Sequence, residues 1–150
     1  MQNEGYKFSD SQTLSNLDST GEISDNTWDM EANAMVDDMI MGNVIVTIIS
    51  APAQATIAGT EGMQIEVRTD SNVNLTTTPE IIGAISVLPA KVIAGAQFTI
   101  PVFCPKMQKQ MGVWYKDVST DFVGDIVVDA DFQYSPVVSS EDIQVKRTSI

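Results

Sequence analysis

The chain has 150 residues, a formal charge of −12, a sequence pI near 4.1, 43% hydrophobic and 19% charged residues, no histidine and one cysteine. That length is one domain able to bury roughly 68–70% of the surface of its unfolded chain, and the low charged fraction excludes disorder over the whole length. Eight scattered basic residues against twenty acidic ones give no stripe for phosphates, so direct nucleic-acid binding is excluded. Without histidine there is no Ser-His-Asp or Cys-His triad and no histidine-ligated zinc.

The segment from Met1 to Asp38 carries nine acidic residues and one basic, Lys7, which is two-thirds of the net charge in a quarter of the chain. With its Ser, Thr and Asn content it reads as arm or loop more than packed core, with Ser9-Asp10-Ser11 capping a turn and Thr20-Gly21 making a break. It has no apolar leader core, so synthesis in the cytoplasm is expected, and the longest apolar run, near Val44 to Ile49, is too short to span a membrane.

Trp28 to Met41 fits either a helix, with Trp28, Ala32, Met35, Val36, Met39 and Ile40 on one face, or an irregular crossover that pins methionines under the first core strand. Asn33, Asp37, Asp38 and Gly42 favour the crossover. Val44–Ile49 is a β-branched run of the kind covered on both faces. After a loop from Ala51 to Gly62, Met63, Ile65 and Val67 alternate with Gln64, Glu66 and Arg68, whose polar face should meet solvent or a wet interface.

Asp70-Ser71-Asn72-Val73-Asn74 opens like a calcium loop, but Leu75 stands where glycine is needed and Glu80 falls one residue short, leaving a solvated turn. Ile81–Val87 is a strand with Gly83 as a bulge or point of close approach. Three further strands follow: Gln97–Phe103, Met111–Lys116 and Asp125–Phe132. Pro101 places the first of these on a sheet edge, where another subunit could dock, or gives it a bulge. In the last, Ile126, Val128, Ala130 and Phe132 face a core while Asp125, Asp129 and Asp131 face water.

Cys104 reads as a small buried hydrophobe. Trp114 and Tyr115 must face opposite sides of their strand, one toward the core and one free to stack on a sugar or anchor a subunit. The best enzymatic candidate is a carboxylate pair among Asp117, Asp121, Asp125, Asp129 and Asp131, and solvated outward carboxylates are the simpler reading. The tail after Pro136 alternates through Ile143, Val145 and Arg147 and holds an adjacent basic pair, Lys146 and Arg147, either frayed or docked on an acidic neighbour.

Seven short strands separated by turns give an all-β, antiparallel, jelly-roll-like sandwich with extended N- and C-terminal arms: acidic arm and crossover over 1–41, sandwich core over 42–135, C-terminal arm over 136–150. No catalytic, cofactor-binding or metal site is expected.

Phe8-Ser9-Asp10-Ser11-Gln12, the Val44–Ser50 strand and Glu66-Val67-Arg68-Thr69-Asp70-Ser71 resemble the capsid cement, or decoration, proteins of tailed bacteriophages. Val92-Ile93-Ala94-Gly95, Phe98-Thr99-Ile100-Pro101, Val113-Trp114-Tyr115 and Gly124-Asp125-Ile126 through Asp131-Phe132-Gln133 continue the resemblance over roughly Phe8 to Gln133. It implies a jelly-roll subunit, made in the host cytoplasm, that forms homotrimers on the outer surface of the capsid and bridges the major capsid protein. Candidate interface residues are Phe8, Trp28, Met35, Met39, Phe98, Trp114, Tyr115, Lys146 and Arg147. The competing reading is a carbohydrate-binding sandwich that uses Trp114 or Tyr115.

Overall fold

The computed structural model describes residues 6–15, 17–53, 62–118 and 124–134. In them the alternation read from the sequence closes into two antiparallel sheets packed face to face. One sheet holds β1 (Tyr6–Ser15), β9 (Asp125–Tyr134), β4 (Ile40–Ser50) and β7 (Gln97–Cys104) in the order β1-β9-β4-β7. The other holds β2 (Glu22–Ile23), β8 (Gln110–Asp117), β5 (Met63–Asp70) and β6 (Glu80–Val87) in that order, with β3 (Trp28–Asp29) also on β8. Among the described residues the helical content is one 3-10 turn, Pro89–Lys91, and no helix is long and apolar enough to cross a membrane.

The core lies between the inner faces. Ile126, Val128, Ala130 and Phe132 of β9 are fully buried, as are Val44, Val46 and Ile48 of β4 and Met63, Ile65 and Val67 of β5. Each completely buried side chain of this size contributes about 1.5–3 kcal/mol. Cys104 is likewise buried, and burial pushes its thiol up.

The first forty residues depart from the expected arm. Tyr6–Ser15 is a full strand of the first sheet, paired to β9 from Tyr6↔Phe132 to Ser15↔Asp125, and Phe8, Leu14, Leu17 and Met30 are all core. The acidic composition misled because the large apolar residues of the strand and its return, Phe8, Leu14, Leu17 and Met30, point inward while most of the acids stay at the surface. Ser9-Asp10-Ser11 caps no turn; it is a bulge that shifts the register on both sides of Ser9, with Ser11 at φ 50°. The bulge turns both Ser9 and Gln12 into the interior, where the Ser9 hydroxyl lies 2.8 Å from the Tyr115 hydroxyl and donates to Gln12 Oε1 at 2.7 Å. Gln12 Nε2 then donates to the Ile23 carbonyl at 2.8 Å, tying β1 to β2 across the corner.

Trp28 to Met41 is the crossover, carried by turns over 30–37 with Ala34 and Asp37 at positive φ. β4 is covered on one face only: Ile49 and Met41 are 44% and 45% exposed on the other. β7 does end its sheet, as Pro101 suggested, and β6 covers part of that edge. A Cβ on Gly83 of β6 would come 2.5 Å from the Pro101 carbonyl oxygen and 3.2 Å from Ile100 Cγ2, so the missing side chain lets β6 fold directly against β7. At the opposite corner the Asn26 amide donates to the Phe8 carbonyl at 2.9 Å, covering β1. Both edges of the first sheet are thus covered at these points by other parts of the chain.

Candidate interaction surface

The loops at one end of the sandwich, β3–β4, β5–β6 and β7–β8, lie where β9 ends and β1 begins. Two of them are zipped together: the Asp37 amide donates to the Met107 carbonyl at 2.8 Å and the Met107 amide to the Asp38 carbonyl at 2.9 Å. Beneath them sits an aromatic cluster. Tyr6 stacks on Trp28 with centroids 5.3 Å apart and planes 4° apart, and Trp28 meets Tyr134 edge-on at 5.9 Å. Phe132 joins Trp28 and Tyr134, and a Cβ on Gly42 would lie 2.6 Å from the Phe132 ring, so only glycine fits beside it. The Tyr134 hydroxyl reaches Met35 Sδ at 3.9 Å.

Over this base the first sheet presents apolar side chains to solvent. Met41 and Phe103 are directly opposed across β4 and β7, exposed by 45% and 52%, and Met39 beside them is 60% exposed. Burying the flanking inward residues Ile40, Val102 and Cys104 leaves Met41 and Phe103 no direction but outward. The loops at this end also enclose an open concavity of about 460 Å³ whose walls include Val36, Asp37, Glu80, Lys106, Met107 and Lys109. Asp37 and Lys106 face each other only loosely, at 3.8 Å with 68% and 74% exposure.

The outer face of the second sheet is different in kind. Glu66, expected on a wet face, has a side chain only 2% exposed, clamped by Arg68 Nη2 at 2.7 Å and Lys116 Nζ at 3.2 Å. Arg68 also donates from Nη1 to the Leu75 carbonyl at 2.9 Å and lies 4.4 Å from the Trp114 ring centroid. Leu75, fully buried at φ 57°, roofs the network. The clamp explains why the polar alternation misled: three residues of alternating charge on one face neutralise and cover one another.

The calcium-like loop is built on Asp70, which is buried and not solvated. Burial alone would raise its pKa, but amide donors from Asn72, Thr78 and Thr77 and the Thr78 hydroxyl outweigh it and hold the carboxyl below the usual range. Its oxygens are saturated by donors from the chain.

Of the residues singled out in the sequence, the strip and its base gather Met39, Met35 and Trp28. Phe8 and Tyr115 are corrected: both are fully buried, and burial pushes the Tyr115 phenol up, so neither offers a surface. Trp114 does take the outer side of its strand, and one face of its ring is occupied by Arg68. Phe98 is half-buried against the core. Asp129 and Asp131 share Lys7 at 3.8 Å and 3.2 Å on an open face, unlike the apolar setting a carboxylic acid catalyst requires. Asp121, Lys146 and Arg147 lie outside the described residues. Met41 and Phe103 were missed, although the period-two pattern of their strands already points both away from the core.

The chain matches no known family model and no curated protein.

Proposed function

We propose that this chain is a structural virion protein that binds the outer surface of a phage capsid as a homotrimer and cements junctions of the major capsid protein. The observation that carries the reading is the exposed Met39–Met41–Phe103 strip on a chain of net charge −12. A strongly acidic surface resists nonspecific association, so a contiguous apolar strip on it marks where association is intended.

Two further features support it. The chain crosses between sheets at every connection except β2–β3 and the β5–β6 hairpin, so that β1-β9-β4-β7 faces β2-β8-β5-β6, an order we read as a jelly roll built from two Greek keys. With both edges of the first sheet covered at these points, side-chain surfaces are left for association, which suits finite assembly over strand polymerisation. A trimer would carry 3 × −12 = −36 charges, so its contacts belong on apolar surface with acids at the rim. Cementing then works by mass action: a ligand that binds only the assembled shell at 100 times its Kd stabilises it by about 2.7 kcal/mol per site.

The test mixes purified protein with phage heads stripped of decoration and follows binding by sedimentation and head survival on heating, alongside native mass measurement of the free protein. Binding and heat resistance that vanish in Met41→Glu/Phe103→Glu are expected. A stable monomer that binds no head would sink the proposal.

A further inference from the structure

We propose that Met39 and Met41 form an oxidative modification site: peroxide converts both thioethers to sulfoxides with the fold left standing, and the apolar strip loses its capacity to dock. The loss of docking rests on reading the strip as the docking surface, whereas the selectivity of the oxidation rests on burial.

The methionines of the described chain fall into three environments. Met30, Met63, Met107 and Met111 are at most 1% exposed inside the sandwich, where an oxidant reaches the sulfur only if the core opens. Met35 is half-buried against the core, and its Sδ accepts the Tyr134 hydroxyl at 3.9 Å, which engages a lone pair that oxidation needs. Met39 and Met41 stand out into solvent on either side of the buried Ile40, with Phe103 opposite Met41. The sulfur of Cys104 does not compete, because the thiol is buried and pushed up, leaving little thiolate.

The step balances with hydrogen peroxide as the oxidant. A sulfur lone pair attacks one peroxide oxygen, the O–O bond breaks, an S–O bond forms and water leaves, so the thioether is oxidised by two electrons and the peroxide reduced by two. Each sulfoxide replaces a flexible apolar end by a polar one. On the free protein the new oxygen stays in water and the fold is untouched. Against an apolar partner surface it is desolvated without a donor, which opposes docking. The change is reversible, since a dithiol acting through the two epimer-specific methionine sulfoxide reductases takes the oxygen away as water and becomes a disulfide.

The test treats the free protein with dilute hydrogen peroxide and follows sulfoxide peptide by peptide. The product is compared with untreated protein by thermal unfolding, by retention on a phenyl column and by sedimentation with phage heads. Met39 and Met41 should oxidise about ten-fold faster than Met30, Met63, Met107 and Met111, with Met35 between. The doubly oxidised protein should keep its melting midpoint, elute earlier from the column and bind heads about ten-fold more weakly, and the reductases with dithiothreitol should reverse the last two. Met39→Leu/Met41→Leu, compared with its own untreated sample, should show no response to peroxide in either readout. Equal oxidation rates across the methionines, a lowered midpoint, or unchanged column retention at full oxidation of the pair would overturn the proposal. So would a leucine double variant that responds as the wild type does. If untreated protein binds no head, the function falls, and oxidation rates and column retention decide the site. If untreated and oxidised protein bind heads equally well, the function stands and this proposal falls.

Discussion

Removing the Arg68 guanidinium should be among the most damaging single changes on the outside of this protein, because it strands a carboxylate that has almost no water. The Glu66 side chain is 2% exposed, and Arg68 supplies two of its three closest cationic contacts, Nη2 at 2.7 Å and Nε at 2.9 Å, with Lys116 Nζ at 3.2 Å. Breaking a buried pair from one side costs about 3–5 kcal/mol, and the surviving Lys116 places Arg68→Met near the lower end, ~3 kcal/mol. For a chain of this size that is roughly 6–12 °C in Tm. Glu66→Leu should cost less, about 2 kcal/mol, since Arg68 is 12% exposed and keeps the Leu75 carbonyl and the Trp114 face. The double variant Glu66→Leu/Arg68→Met removes both charges and packs apolar side chains beneath Leu75 and Trp114. It should therefore be more stable than the sum of the singles by about 1–3 kcal/mol. Urea unfolding at neutral pH, followed by fluorescence and circular dichroism together, measures all four corners of the cycle. Strict additivity, or an Arg68→Met loss within about 0.5 kcal/mol, would mean that the clamp behaves as an ordinary surface pair and the reasoning fails.

Gly83→Ala should destabilise by about 1–3 kcal/mol, read from chemical denaturation, because its Cβ would meet the Pro101 carbonyl and force β6 from β7. An unchanged midpoint would show that the corner is not closed as described. Tyr115→Phe should cost about 1 kcal/mol by leaving the buried Ser9 hydroxyl with Gln12 as its remaining side-chain partner, and Ser9→Ala in that background should recover part of it, measured as a double-mutant cycle. Asp70 gives a pH dependence: its folded pKa is depressed, so the unfolded state binds the proton more tightly. Its contribution is present above the unfolded value of about 3.9 and is lost as pH falls through that value toward the folded one. Asp70→Asn should lower stability at neutral pH and flatten the acid limb of the stability curve; an acid limb identical to wild type would refute the assignment.

The sheets were legible where one face is simply greasy. The β9 run, Ile126 to Phe132, gave both its extent and its buried side, and Pro101 and Gly83 each named an edge or a close approach that the fold contains. What was not legible depended on contacts distant in sequence. The strand Tyr6–Ser15 was hidden because the buried places between its apolar positions Phe8 and Leu14 are taken by polar Ser9 and Gln12, which the bulge at Ser9 turns inward together. Glu66 looked solvated because nothing local shows that Lys116 and Leu75 close over it. Of the strip, Met39 was picked out, whereas Met41 and Phe103 become neighbours only through the β4–β7 register.

That same kink in β1 gives the strand a single seat. Sliding it by one position would bring Phe8 or Asp10 up to the Tyr115 phenol, where Ser9 now sits, and would break the Gln12 link to Ile23. Alternative registers of the amino-terminal strand are therefore disfavoured. Appended sequence ahead of Tyr6 should leave the pairing untouched, while deletions that run past it should unseat the whole first sheet.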